Sequence, residues 1–271
     1  MQGRLLPKYN GHYQAHPVGY WQKEFEIARG IGLDCIEFIL DYDGAKDNPL
    51  LKVGGVDEIK LISEKSFVSV KTICADYFMQ APLHCKDNKI AVQSQKIMIR
   101  LLNNISELGI TDVVLPCVDN SSLNEQDSVS RFVNQLMPVV DLAEKLEINI
   151  SLETDLSPQS FSKLLDFFQS TRVTVNYDIG NSASLGFDPI EELDAYGKRI
   201  SDIHIKDRVL NGGPVELGYG NASFSKFFNK LREFDYQGPF IMQAYRDDEG
   251  IKIFKKQMKW FLNLMNELNY E

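Results

Sequence analysis

Positive charge is in short supply: 29 Lys plus Arg against 38 Asp plus Glu leave a formal net charge of −9 over 271 residues. Binding a phosphate backbone requires a basic stripe, so nucleic acid is not an expected partner. Cysteine is sparse as well. Cys35, Cys74, Cys85 and Cys117 show no CxxC spacing, and three of them sit in or beside apolar runs where buried free thiols are common, so a reduced, intracellular chain is expected. Nowhere does the chain approach the ~18 consecutive apolar residues of a membrane span. The opening MQGRLLPKYNGHY has no apolar centre of the secretory kind. No membrane association and a cytoplasmic location are therefore expected. Low-complexity segments, charge blocks and Ser/Gly linkers are missing too, and a 44% hydrophobic chain of this length is able to bury one large core. A single domain over 1–271 is expected.

What is present alternates. Apolar, β-rich runs occur at 35–39 (CIEFI), 67–75, 112–118, 148–153, 173–178 (VTVNYD), 200–206 and 239–245, and near-continuous apolar strands of this kind belong in sheets covered on both faces. Between them the spacing predicts helices near 21–31, 55–65, 88–108, 126–146, 157–169, 188–197, 223–234 and 250–268, several opened by start signals such as Ser157-Pro158 and Asp188-Pro189. Seven strands, plus a short one near Gln2 to Leu5, each followed by a helix, match an α/β fold of the (β/α)8 TIM barrel type better than an open sheet. Two loops exceed what such units need: residues 6–20, rich in aromatics and histidine, and the glycine-rich 207–222. Long loops on a rigid scaffold commonly carry function.

The strand ends hold the chemistry. INISLE ends in Glu153, VTVNYD in Asp178, ISDIHI passes through His204 and PFIMQ reaches Gln243. A closed parallel barrel turns all its strand C-termini to one mouth. Two carboxylates, an imidazole and an amide oxygen meeting there suit an octahedral, oxygen-preferring divalent ion, Mn²⁺ or Mg²⁺ ahead of Zn²⁺ or Co²⁺. Each residue also has a plainer reading. Asp178 before Gly180 is a natural cap or turn former, and His204 on an apolar run suits a hydrogen-bonded core position. Glu153 is the hardest to explain structurally, since glutamate is rarely buried unpaired.

The series SLETD, NYDIGN, DIHIKD and GYGNASF, together with Glu37 of CIEF, resembles the xylose isomerase-like TIM barrels, in particular their sugar (phosphate) isomerase and epimerase branch. The resemblance implies that Glu153, Asp178 and His204 bind the metal together with a glutamate at the end of the last strand, and that the first and last glutamates act as paired acid/base groups. It implies a small carbohydrate substrate, and leaves a homo-oligomer open. Two positions depart from the pattern: Gln243 replaces the last glutamate, and Asn181 stands where many members carry histidine. An amide can offer its carbonyl oxygen to an ion but takes no proton at neutral pH. A two-base epimerisation thus loses one base, whereas aldose–ketose isomerisation by Glu153 alone, through a cis-enediolate, stays feasible. Glu216 in the long loop is a candidate substitute base. Glu37, Lys206, Arg208 and Arg246 are candidates for binding hydroxyls or a phosphate. Tyr13, His16, Tyr20 and Trp21 form either a stacking wall for the sugar or a plug of the barrel mouth. The metal-dependent endonucleases of the same family need more ligands and a basic surface, which four histidines and −9 do not provide. An enolate-forming lyase or dehydratase, and a sugar-binding protein that has lost turnover, remain as alternatives.

Overall fold

The computed structural model describes residues 1–248 and 250–270. Seven strands lie side by side in chain order and all pair in parallel: β1 (Cys35–Ile39), β2 (Ser69–Cys74), β3 (Asp112–Cys117), β4 (Asn149–Thr154), β5 (Val173–Asp178), β6 (Ile200–Ile205) and, after the two-residue strands β7 (Asp207–Arg208) and β8 (Pro214–Val215) of a small hairpin, β9 (Phe240–Met242). The remaining gap, between β1 and β9, is filled by the first residues. Glu37 donates its N–H to the Met1 carbonyl (2.8 Å) and Gln2 donates its own to Met242 (3.2 Å). This segment stands where the eighth strand was expected and forms a bridge instead of a ladder.

Helices α1 (Lys23–Gly30), α2 (Gly55–Ser66), α3 (Tyr77–Gln80), α4 (Asn88–Ile105), α5 (Ser128–Leu146), α6 (Pro158–Asp166), α7 (Ile179–Leu185), α8 (Pro189–Tyr196), α9 (Phe224–Leu231) and α10 (Ile251–Glu267) fill the connections. The longer ones bury a stripe of helical period. In α4 it is Ala91, Ser94, Met98, Leu101, Leu102 and Ile105, and in α9 Phe224, Phe227, Phe228 and Leu231. Asp87, Ser157 and Asp188 accept backbone N–H groups at the starts of α4, α6 and α8. With helices outside and a filled interior, β3 and β5 are buried at every position, which is why their sequences read as continuous apolar runs.

Three local differences from expectation have visible causes. The last strand runs only to Met242, although Gln243 still donates its N–H to the Ile205 carbonyl (3.1 Å); beyond it Arg4, in the bridging segment, donates from its guanidinium to the carbonyls of Ala244 (3.1 Å) and Gln243 (3.5 Å). Helices α3 and α7, four and seven residues long, are too short to show a periodic signal.

Candidate active site

Asp178 ends β5 and serves two partners at once. Its Oδ1 accepts the Asn181 N–H (2.8 Å), capping α7, while its Oδ2 accepts from the Lys206 ammonium (3.1 Å). The cap expected of Asp178 before Gly180 is therefore present, and Lys206 supplies a charge partner to the other oxygen. The glycine is required there, since a Cβ at residue 180 would lie 2.7 Å from Lys206 Cγ. Burial pushes the Asp178 carboxyl up, but Lys206 and His204 outweigh it and hold the group well below its ordinary value.

His204 comes from β6, paired with β5 so that it lies beside Asp178. Its ring is fully buried, with Nδ1 3.7 Å from Asp178 Oδ2 and 3.2 Å from Asn176 Nδ2, and Nε2 2.9 Å from Glu37 Oε1. Burial disfavours a charged imidazole, yet Glu37 and Asp178, with Asp202 behind them, raise its proton affinity well above the usual value.

Glu153, from β4, completes the group. Its Oε1 accepts from Asn181 Nδ2 (2.5 Å) and its Oε2 from Asn176 Nδ2 (3.3 Å). Arg208 donates to Asn181 Oδ1 (2.8 Å), which turns the amide nitrogen of Asn181 toward Glu153. Burial, helped by the negative Asp178 and opposed by His204 and Lys206, pushes the Glu153 carboxyl up to about 7. Glu153, Asp178 and His204 each offer a ligand atom, and these atoms lie within 4.8 Å of one another. Gln243 donates Nε2 to Gln2 Oε1 (2.6 Å), leaving its own Oε1 buried with no hydrogen-bond partner. The two carboxylates and the imidazole nitrogen so grouped fit a divalent ion.

Lys206, bonded to Asp178, also lines a cavity of about 250 Å³ with Arg4, Tyr13, Gln14, Arg208, Pro214, Gln243, Tyr245 and Arg246, whereas Glu153 and Asp178 line a separate, smaller space with Asn176 and Asn181. Lys206, Arg208, Arg246 and Tyr13 were expected near the substrate, and the cavity brings them together. Arg246 stacks over the Tyr13 ring at 4.7 Å. Asp207 shapes the loop overhead: its carboxylate accepts the N–H groups of Gly218 (2.9 Å), Gly220 (2.9 Å) and Ala222 (3.0 Å).

Other expected residues lie elsewhere. His16 and Trp21, each 5% exposed, pack against Phe38 at 5.1 and 5.3 Å between ring centroids and do not line the cavity. Burial lowers the His16 imidazole to about 4. Tyr20 lies against Tyr9 (6.2 Å). Glu37 sits beneath the mouth, 1% exposed: Thr72 Oγ1 donates to its Oε2 (2.8 Å) and its Oε1 faces His204, which leaves neither oxygen turned toward the cavity lining. Glu216 pairs with Lys256 (2.6 Å) and is not among the lining residues. Arg4, Gln2, Asn176 and Asp202 were not anticipated. A signal for two of them existed: Asn176 stands two residues before Asp178, and Asp202 two before His204, the spacing that puts side chains on one face of a strand.

The xylose isomerase-like TIM barrel model matches residues 25–264. The chain belongs to that family. It is similar to a putative L-ribulose-5-phosphate 3-epimerase of Haemophilus influenzae, at 23% identity over 266 residues covering 91% of this chain and 92% of the relative. Among solved structures it resembles a D-psicose 3-epimerase studied in the presence of D-fructose, with a TM-score of 0.74, 15% identity and 92% and 94% of the two chains covered. It also resembles a xylose isomerase-like TIM barrel protein of Mycobacterium smegmatis in complex with magnesium, with a TM-score of 0.71, 17% identity and coverages of 98% and 94%. These structural likenesses bear on the fold. Among the described residues, no helix is long and apolar enough to cross a membrane.

Proposed function

We propose that the protein is a divalent-metal-dependent isomerase of a small phosphorylated sugar, moving a proton between adjacent carbons through one carboxylate, Glu153. The observation that carries this reading is the composition of the cavity beside the metal ligands: four cations, Arg4, Lys206, Arg208 and Arg246, and no carboxylate among the described residues. A cationic cavity of that size suits a phosphate on a short sugar. Burial lowers the Arg4 guanidinium to about 10, which still leaves it charged at neutral pH. The curated relatives, named as epimerases of L-ribulose 5-phosphate, support the same substrate class.

Glu153, Asp178, His204 and the carbonyl of Gln243 would hold the ion, with Mn²⁺ or Mg²⁺ suited to these donors. A divalent ion there supplies Lewis acidity to a carbonyl and its neighbouring hydroxyl, acidifying the C–H between them. The chain's own groups do the rest. Glu153, a buried carboxylate held on both oxygens, is the group placed to remove and return one proton. Asn181 and Asn176 fix its two oxygens, and Arg208 fixes Asn181. Asp178 keeps Lys206 at the mouth. Gln243 stands where a second base would return the proton to the opposite face, and an amide does not perform that step. Retention of the proton on one face favours aldose–ketose isomerisation over the epimerisation named for the relatives.

The test is a panel of phosphorylated and free aldoses and ketoses incubated with the Mn²⁺-loaded protein in deuterated water and followed by proton NMR. The expected result is metal-dependent exchange and aldose–ketose interconversion of a phosphorylated sugar, lost in Glu153→Gln. Binding without exchange would make the protein a sugar-binding relative, and efficient inversion at one carbon would require a second base that this reading does not contain.

A further inference from the structure

We infer that Glu37 is the positioning residue of His204, holding the imidazole by Nε2 so that Nδ1 is the nitrogen presented to the metal site. This rests on the metal reading above and adds a residue to it.

The geometry is specific. Glu37 lies on β1, and its Oε2 is fixed by Thr72 Oγ1 at 2.8 Å from β2. That contact leaves Oε1, which lies 2.9 Å from His204 Nε2, while Asp202 Oδ2 lies farther from the same nitrogen, at 3.9 Å. Both residues are buried, so each atom faces a desolvation cost that the other relieves. On the opposite side of the ring, Nδ1 faces Asp178 and Asn176. A buried imidazole can be metallated at either nitrogen, and the partner of the other nitrogen decides which. Here Glu37 waits on the Nε2 side, and Asp178, one of the other ligands, lies on the Nδ1 side.

One competing arrangement is drawn by the same atoms. Glu37 Oε1, Asp202 Oδ2 and His204 Nε2 also lie within 4.8 Å of one another, and none has a hydrogen-bond partner. A second ion in that group would need the same ring to bridge two metals. In the simpler state a proton on Nε2 is shared with Glu37 and one ion lies on the Nδ1 side.

The experiment uses the full chain stripped of metal. Calorimetric titration with Mn²⁺ counts ions and measures affinity in the wild type, Glu37→Gln and Glu37→Leu, with thermal melts of the metal-free proteins as a folding control. One ion per chain is expected. Glu37→Leu should weaken binding by about 10–100-fold, and Glu37→Gln, which keeps an acceptor oxygen, should recover most of it. A role confined to packing predicts no such rescue. In ¹⁵N-histidine-labelled, Zn²⁺-loaded protein, the His204 Nε2–H should resonate downfield as a hydrogen-bonded ring proton in the wild type, and lose that shift in Glu37→Leu. If Glu37→Leu does not fold, Thr72→Val tests the same contact more gently, with a loss of about threefold expected from the weakened hydrogen bond. Equal affinity in all variants, a protonated Nδ1 in the loaded protein, or two ions per chain would overturn the inference. Failure of the wild type to bind any ion would overturn the metal reading as well.

Discussion

Replacing Glu153 by Gln should make the metal-free protein more stable, and increasingly so as the pH rises. The carboxyl is buried beside Asp178, and its proton affinity rises from 4.5 to about 7. The folded chain therefore holds this proton more tightly than the unfolded chain. Below pH 4.5 the group is neutral in both states and contributes no penalty; between 4.5 and about 7 the unfolded state ionises first, so stability falls as pH rises, and above about 7 the full penalty stands. At 1.36 kcal/mol per pH unit the full penalty is ~3 kcal/mol, and at pH ~5.5 it is ~1.4 kcal/mol. Glutamine keeps an oxygen for the Asn181 amide and carries no charge, so the gain over wild type should grow by ~2 kcal/mol between pH ~5.5 and pH ~8. For a chain of this size that corresponds to a difference of roughly 4–8 °C in the change of Tm. Melts of both proteins in chelator at the two pH values measure it. Addition of Mn²⁺ should then raise the Tm of the wild type more than that of the variant, whose amide oxygen is a weaker ligand than the carboxylate. An equal Tm difference at both pH values, or a variant less stable at the higher pH, would refute the claim that Glu153 is a strained, desolvated acid.

Gln243→Glu should tighten Mn²⁺ binding by about tenfold, because a carboxylate replaces an amide oxygen; calorimetry checks it, and unchanged affinity would remove residue 243 from the ligands. Arg246→Ala should raise KM for a phosphorylated sugar by about 10–100-fold, from the loss of a charge-assisted contact of roughly 1.5–3 kcal/mol, while leaving an unphosphorylated analogue nearly unaffected. Gly220→Ala would place a Cβ 2.1 Å from Asp207 Oδ1. The 207–222 loop should then lose the Asp207 carboxylate as an anchor and become several-fold more sensitive to limited proteolysis, roughly 1–3 kcal/mol of local stability being at stake.

The barrel was legible because its signals are local. Seven apolar runs and eight helical stretches match the observed elements within a few residues, since strand and helix periodicity depend on neighbours only. That Glu153, Asp178 and His204 lie close together was legible by topology: parallel closure brings strand ends to one mouth, whatever their separation in sequence. The layer beneath the site was not read. Gln2, Thr72, Asn176 and Asp202 are ordinary polar residues whose roles appear only when the barrel closes and their partners are known. The 6–20 loop misled for the same reason. Tyr13 and Gln14 face the cavity while His16 and Trp21 turn into the core, a division that composition does not carry. Arg4 is the clearest loss, since it closes the barrel and lines the cavity from a segment that shows only a faint strand signal.

Anomalous diffraction at the manganese edge, from crystals grown with Mn²⁺, asks the central question directly. The account predicts one strong peak per chain, within about 2–2.5 Å of Glu153, Asp178 and His204 Nδ1, with Gln243 Oε1 turned toward it. No peak in saturating Mn²⁺, or a peak bounded by other residues such as Glu37 and Asp202 alone, would contradict it.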